Sequence, residues 1–327
     1  MIVNWGKGKN RLIILFLSIN LVLGWANYRK VSGAYLLKDA QIHDIRQVME
    51  MNNVFIDSEI PREYKSLQKL TVFPYQINSQ AREVLVRKLL QTLDGVKISV
   101  QAPVVPNEKP KRVYTRDEEV VIFEGETIFY HHLGMEQGDR PEVLSEDLIG
   151  ALEYPIDQEL VTPSAIKIQI KEPKKQLDVG VAKKVSEKWL KQMGYSHKEM
   201  HIQAATQEDY LEITYYDKYE GTPVFDSYVK MTITPLGIKD MEIHKVKFGS
   251  ITGERQAIYS ADQVFFYLIQ EIAGKGPVHI KDIMLGYALE NPKGTHLIAE
   301  KAIPYYQVVL EDGKTYYIDA YHNEMRE

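Results

Sequence analysis

The first strong pattern along the chain is an apolar run without charge. It covers Leu12–Tyr28, 17 residues that at ~1.5 Å per helical residue reach roughly 25 Å, the short end of a bilayer span. Basic residues flank the run, and their charge is greater on its N-terminal side. The pattern therefore predicts a cytoplasmic tip and a transmembrane helix in residues 1–30, in a single-pass protein of the cell membrane with an extracytoplasmic body.

A cleaved signal peptide is the alternative interpretation of this segment. A site with small residues lies at 31–33, but Arg29 and Lys30 separate it from the apolar run. Positive charge at that position disfavours cleavage, so the sequence favours an anchor that is retained.

An amide side chain interrupts the apolar run. On an ideal helix Asn20 shares one face with residues three and four positions away, and Gly24 would let the backbone of a partner helix approach. Asn20 could then hydrogen-bond across the contact. We predict a partner-binding face within the membrane, formed by Ile13, Phe16, Leu17, Asn20 and Gly24.

Residues 31–172 show a mixed pattern, which predicts a first extracytoplasmic α+β region. Apolar residues at helical spacing predict helices over Lys38–Asn52 and Ser79–Leu93, the second ending before Gly95. A proline-rich loop is expected over Pro103–Pro110. Alternating apolar and polar residues predict strands over Leu70–Phe73, Val96–Val100, Glu119–Phe123 and Thr127–His131, the last two forming a hairpin.

Residues 173–327 predict a second extracytoplasmic α+β domain in which one pattern occurs twice. Asp178 is a good N-cap for a helix that ends at Gly194, and Ser260 begins a second helix that ends at Ala273-Gly274. Strands follow each helix, at His201–Ala205, Tyr210–Asp217, Val224–Thr234 and Lys239–Lys247, and again at Ile280–Leu289, Tyr305–Leu310 and Thr315–Ala320. The repeated order of helix and strands indicates a divergent internal duplication.

These elements predict an α+β fold. We expect one N-terminal transmembrane helix, followed by an exported body of antiparallel sheets that are each covered by helices.

Charge divides unevenly along the chain. Residues 1–30 hold five of the 40 Lys and Arg residues and no acid, which leaves 35 basic against 45 acidic residues in the remainder, a formal charge of −10. An acidic body argues against nucleic acid as a partner, because phosphate binding depends on Lys and Arg. The chain has no cysteine, so disulfides, thiolate catalysis and Cys-zinc sites are excluded.

No motif for catalysis or metal binding is complete in the sequence. His197 and His201 have the spacing of a zinc-protease helix, but Glu199 is one position too late and the helix has ended. His131 and His132 point to opposite faces of a strand. Two S-x-x-K strings, Ser66–Lys69 and Ser164–Lys167, lack the companion motifs of penicillin-recognising enzymes. We therefore expect no enzyme activity, no cofactor and no metal.

Tyrosine is frequent, with 21 residues, and it concentrates in the strands of the C-terminal half. An aromatic sheet could bind a protein or a glycan, since tyrosine is enriched at interfaces. Tyrosine also favours strands for structural reasons alone, and the sequence favours that interpretation.

Several segments resemble the YycI family. They are Trp5-x-Lys7-x-Lys9, Phe16-Leu17-x-x-Asn20-Leu21, Gly221–Phe225, Ile303–Val308 and Asp312–Ala320. The resemblance implies a single-pass membrane protein of Gram-positive bacteria, encoded with the YycG/WalK sensor kinase. It also implies regulation without catalysis: contacts with this histidine kinase and with a YycH-like protein, through transmembrane helices and exported domains, would adjust kinase activity in cell-wall homeostasis.

A second family offers an alternative. The helix followed by hairpins in the C-terminal half also resembles PepSY-type modules. That resemblance implies an exported binding or inhibitory module that controls a cell-wall hydrolase or peptidase.

Overall fold

The computed structural model describes residues 16–23, 35–102, 110–135, 178–206, 210–272, 276–291 and 299–326. Beyond a helical stretch at 16–23, the α-helices are α1 (Asp39–Met51), α2 (Ser79–Leu89), α3 (Val179–Met193) and α4 (Ala261–Ile272). The strands are β1 (Val54–Ile56), β2 (Leu67–Pro74), β3 (Lys97–Gln101), β4 (Lys111–Arg116), β5 (Glu119–Glu124), β6 (Thr127–His132), β7 (Met200–Thr206), β8 (Leu211–Tyr219), β9 (Thr222–Thr234), β10 (Gly237–His244), β11 (Val246–Gln256), β12 (Val278–Leu289), β13 (Glu300–Leu310) and β14 (Thr315–Asp319).

The chain divides into two compact units. The first unit combines both ends of the chain, Met1–Val72 and Phe248–Glu327, and the second is the continuous segment Phe73–Lys247. The boundary expected near residue 172 lies outside the described residues.

The second unit contains an antiparallel sheet of eight strands in the order β3-β4-β5-β6-β10-β9-β8-β7. Successive side chains of each strand point to opposite faces. One face carries apolar side chains that pack with α2 and α3, among them Val121, Ile213 and Met231. Because α2 and α3 place Val86 and Leu190 in the same cluster, this side of the sheet forms the core of the unit.

Helix α3 begins and ends where the sequence predicts. The Asp178 Oδ1 atom accepts hydrogen bonds from the backbone N–H groups of Gly180 (2.8 Å) and Val181 (3.2 Å). At the other end Gly194 adopts a φ of 92°, in the left-handed region that terminates helices. The helix predicted from Asp178 to Gly194 is therefore confirmed.

We expect Asp178→Ala to lower the free energy of unfolding of the second unit by about 1 kcal/mol, because two N–H groups lose their acceptor. The measurement is urea unfolding followed by circular dichroism. Asp178→Asn keeps an acceptor oxygen and should stay close to the original protein. An alanine variant as stable as the asparagine variant would show that the cap contributes nothing.

The first unit is organised around the long hairpin of β12 and β13, which pair antiparallel. One edge of β13 receives two strands in succession, since β2 pairs with Glu300–Ala302 and β14 with Tyr305–Val309. Strand β1 adds in parallel to the other side of β12, and β11 lies beside β2. Helix α1 contacts β1 and α4, and its Arg46 guanidinium donates hydrogen bonds to the carbonyl oxygens of Ile56 and Ser58.

The expected fold class, an α+β body whose sheets are each covered by helices, is wrong. Strands dominate the described part of the chain, where helices are few. The pattern along the sequence predicts hairpins of neighbouring strands but not how the hairpins join. In the structure β6 pairs with β10, more than 100 residues later, and this pairing joins them into one wide sheet.

The expected N-terminal transmembrane helix is also corrected. Residues 16–23 are helical and exposed, and the rest of the predicted span lies outside the described residues. In the described ranges no helix has the length and apolar character needed to cross a membrane.

Several predicted boundaries differ from the observed ones, and two of the differences have a local cause. Helix α2 stops at Leu89 rather than Leu93, since the chain turns at Gln91 with a φ of 62°. The single strand expected over Lys239–Lys247 is interrupted at Lys245, which separates β10 from β11. The side chain of Lys245 is buried at this break.

Candidate functional site

The face of the second unit's sheet opposite α2 and α3 is the candidate site, and we call it the polar face. Its side chains form three rows that follow the cross-strand register. The first row is His201, Tyr216, Tyr228 and His244; the second is Gln203, Thr214, Lys230, Glu242 and Phe129; the third is Ala205, Glu212, Thr232, Asp240 and His131. Most of these side chains are half-buried, whereas Tyr216, Thr214 and His131 are buried.

The first row forms an aromatic ladder. The ring centroids of Tyr216 and Tyr228 lie 6.3 Å apart with an interplanar angle of 65°, and those of Tyr228 and His244 lie 5.9 Å apart. The Nδ1 atom of His244 donates a hydrogen bond of 2.6 Å to the carbonyl oxygen of Asp226. This contact defines the tautomer and orientation of the ring.

The hydroxyl of Tyr228 donates a hydrogen bond of 2.5 Å to Oε1 of Glu242 in the second row. Burial, with the nearby charge of Glu242, raises the pKa of Tyr228 well above its ordinary value. The hydroxyl therefore remains a donor at any physiological pH, and it holds the carboxylate in place across two strands.

Opposite charges on the polar face are paired across neighbouring strands. Nζ of Lys230 lies 2.9 Å from Oε2 of Glu212, and Nδ1 of His131 contacts Oδ1 of Asp240. The His131 side chain is almost fully buried, whereas the Lys230 pair is well exposed to solvent. Paired charges beside half-buried aromatic rings suit recognition of another macromolecule.

A second polar cluster, which we call the Asp217 cluster, lies at the break between β10 and β11. The Oδ2 atom of Asp217 accepts hydrogen bonds from Lys245 Nζ (2.7 Å) and Ser227 Oγ (2.6 Å). The Lys245 ammonium also lies 4.7 Å from the ring centroid of Tyr195. Burial lowers the pKa of Lys245, and the Asp217 charge opposes this effect.

Sequence reasoning did not find either cluster. The only local signal for the Asp217 cluster is the charged Lys245 inside an otherwise strand-like pattern. The local signal for the polar face is the concentration of tyrosine in the C-terminal strands, which includes Tyr216 and Tyr228. The pairing that brings His131 of β6 beside Asp240 of β10 has no local signal, because these strands are more than 100 residues apart.

The residues that sequence reasoning did propose for partner binding lie elsewhere. Phe16, Leu17 and Asn20 lie in the exposed helical stretch 16–23 of the first unit, and Ile13 and Gly24 are outside the described residues. Their role in partner binding stays a prediction.

The histidine and tyrosine patterns have structural explanations. His197 lies in a short 3-10 turn and His201 in β7, so they do not share a helix. Within the described ranges no group of three or more His, Asp or Glu side chains is arranged to hold a metal. Several tyrosines are core residues, and Tyr215 of β8 shares a 2.6 Å hydrogen bond with Ser186 of α3.

Comparison with known proteins gives structural but no sequence relatives. No family model and no curated protein matches the sequence. The structure is similar to that of YycH from Bacillus subtilis, with a TM-score of 0.39, 13% identity, and coverage of 79% of this chain and 55% of that one. It is also similar to the C-terminal domain of YpeB from Bacillus megaterium, with a TM-score of 0.34, 12% identity, and coverage of 77% and 96%.

A third structure aligns with this chain with a higher TM-score. An uncharacterized protein from Eubacterium rectale aligns with a TM-score of 0.53 at 13% identity, over 84% of this chain and 91% of that one. This chain therefore shares its fold with the Eubacterium rectale protein.

Proposed function

We propose that this protein is an extracytoplasmic, non-catalytic regulator of a cell-wall-sensing histidine kinase. It would act through protein contacts with a YycG/WalK-like kinase and with a YycH-like regulator. The polar face is the observation that carries the proposal, because half-buried tyrosine and histidine rings beside paired charges are typical of protein-binding surfaces.

The resemblance to YycI supports the same proposal from the sequence. Two of its segments, Ile303–Val308 and Asp312–Ala320, lie in the β13–β14 hairpin, and Gly221–Phe225 begins β9. These segments form parts of hairpins in both units, so the resemblance concerns the fold and not the polar face. The polar face supplies the surface through which a protein of this fold could act.

Reversal of one charge on the polar face tests the proposal. Lys230 is 40% exposed, so Lys230→Glu should still fold, while it places a third acidic side chain beside Glu212 and Glu242 on the face. We expect about a tenfold loss of affinity for the kinase, equivalent to about 1.4 kcal/mol. The measurement is co-purification of the full chain with the kinase, with expression of the kinase-controlled genes as a second readout.

Lys184→Glu is the matched control, since Lys184 is exposed on α3, on the opposite side of the sheet. It should leave binding and gene expression unchanged. If both charge reversals behave alike, the polar face is not the contact surface. If Lys230→Glu instead changes the activity of a cell-wall hydrolase or peptidase and leaves the kinase unaffected, the kinase proposal fails.

A further inference from the structure

Strand β3 is an edge strand that is exposed on both faces. Within the described part of the chain it pairs with β4 alone, in an unbroken antiparallel register from Lys97 to Gln101. Ile98 and Val100 are 64% and 58% exposed although both are apolar and β-branched. They lie on one side of the strand, while Lys97, Ser99 and Gln101 lie on the other.

Such an edge is unusual for a protein that stays monomeric. Natural edge strands are protected by inward charges, proline or bulges, because their unpaired N–H and C=O groups can bind another strand. Strand β3 has no proline, and its single charged residue stands at its first position. The opposite edge of the same sheet, β7, instead exposes the small side chains of Ala204 and Ala205.

The sequence of β3 is complementary to itself. If two copies pair antiparallel about Ser99, Ile98 of each copy lies opposite Val100 of the other, and Lys97 lies opposite Gln101. Apolar residues then meet apolar residues on one side, and polar residues meet polar residues on the other. No like charges face each other, and each β-branched pair is a favourable cross-strand contact.

We propose that β3 is a self-association surface, at which a second copy of this chain pairs edge to edge about a two-fold axis through Ser99. The contact is isologous, since the same five residues serve both copies. It joins the two eight-stranded sheets of the second units into one continuous sheet. The proposal is independent of the kinase contact, because the polar face and the edge of β3 use different residues.

A cysteine at the symmetry axis tests this geometry directly. The chain has no cysteine, so Ser99→Cys introduces a single thiol. Opposed Cα atoms in an antiparallel pair lie about 4.5–5.5 Å apart, within the range of about 4.4–6.8 Å that a disulfide spans. We expect the full-length Ser99→Cys variant to form a covalent dimer under mild oxidation, and to do so faster at higher protein concentration.

Ala204→Cys is the matched control, because it places a single exposed thiol on β7, the other edge of the same sheet. It should form disulfide dimers at least about tenfold more slowly than Ser99→Cys, at the rate of random encounter. Equal rates for the two variants, or no covalent dimer from Ser99→Cys, would overturn the proposal.

A second measurement uses native association without a cross-link. Sedimentation of the full chain should show a reversible dimer, and Ile98→Lys with Val100→Lys should weaken its dissociation constant by about tenfold or more, because two symmetric apolar pairs are lost. Both side chains are exposed, so circular dichroism should report an unchanged fold. A chain that is monomeric at every concentration, or a dimer that the double variant does not weaken, rejects the self-pairing of β3.

Discussion

Asp217→Ala should destabilise the second unit by about 3–5 kcal/mol, which is the ordinary cost of leaving a buried charge without its partner. The side chain of Lys245 is only 8% exposed, and Asp217 supplies its counter-charge at 2.7 Å. Ser227 loses the same acceptor in this variant. The ammonium would be left against the Tyr195 ring with no carboxylate to compensate its lost hydration.

Denaturant unfolding of the variants measures this effect, and the chain offers a matched control. Glu212→Ala also removes the carboxylate partner of a lysine, but the Lys230–Glu212 pair is 40% and 35% exposed, so the expected loss is about 0–1 kcal/mol. Replacing both members of the buried pair, as in Asp217→Leu with Lys245→Met, should recover most of the stability. If Asp217→Ala and Glu212→Ala lower the free energy of unfolding by the same amount, burial of Lys245 adds nothing to the cost of removing its partner.

Steep alkaline unfolding is the second large effect. Burial raises the pKa of six tyrosines above the ordinary value: Tyr130, Tyr195, Tyr215 and Tyr228 in the second unit, and Tyr306 and Tyr321 in the first. Stability from these groups is complete below about pH 10, the pKa of an unfolded tyrosine, and is lost as the pH rises toward the folded values. Each group removes about 1.4 kcal/mol per pH unit in that window.

The second unit should unfold first on titration above pH 10, since it holds four of the six groups. Lys245 opposes this loss of stability weakly. Because its pKa is lowered in the folded state, the folded chain gains stability relative to the unfolded chain as the pH approaches about 10.5. The absorbance of the buried tyrosines of the second unit should therefore change together with the circular dichroism, in a steep step. Tyr228→Phe should reduce the steepness, and gradual ionisation of all tyrosines without loss of structure would contradict the prediction.

Local structure could be predicted well from the sequence, because its causes are local. Asp178 and Gly194 bound α3 through capping contacts within four residues. Glu220 and Gly221 both adopt positive φ at the turn between β8 and β9, as tight hairpin turns require. Ser260 hydrogen-bonds to Gln263 at the start of α4, as the capping-box pattern indicates.

The assembly of these elements could not be predicted in the same way. The pairing of β1 with β12 joins residues more than 200 positions apart, and no pattern within either strand specifies its partner. The polar face depends on four registers, of which the pairing of β6 with β10 joins distant parts of the chain. The Asp217 cluster takes one residue from each of four segments.

The edge of β13 that pairs with both β2 and β14 also constrains the order in which the chain can fold. The second unit is continuous in sequence, so all its described strands have been synthesised once residue 247 is made. In the first unit β2 must wait for β13, where Thr71 pairs with Lys301. Early strands of this unit therefore emerge long before their partners, with unpaired edges that favour misassociation. Completion of the first unit is therefore expected late in folding, because it depends on the synthesis of β13.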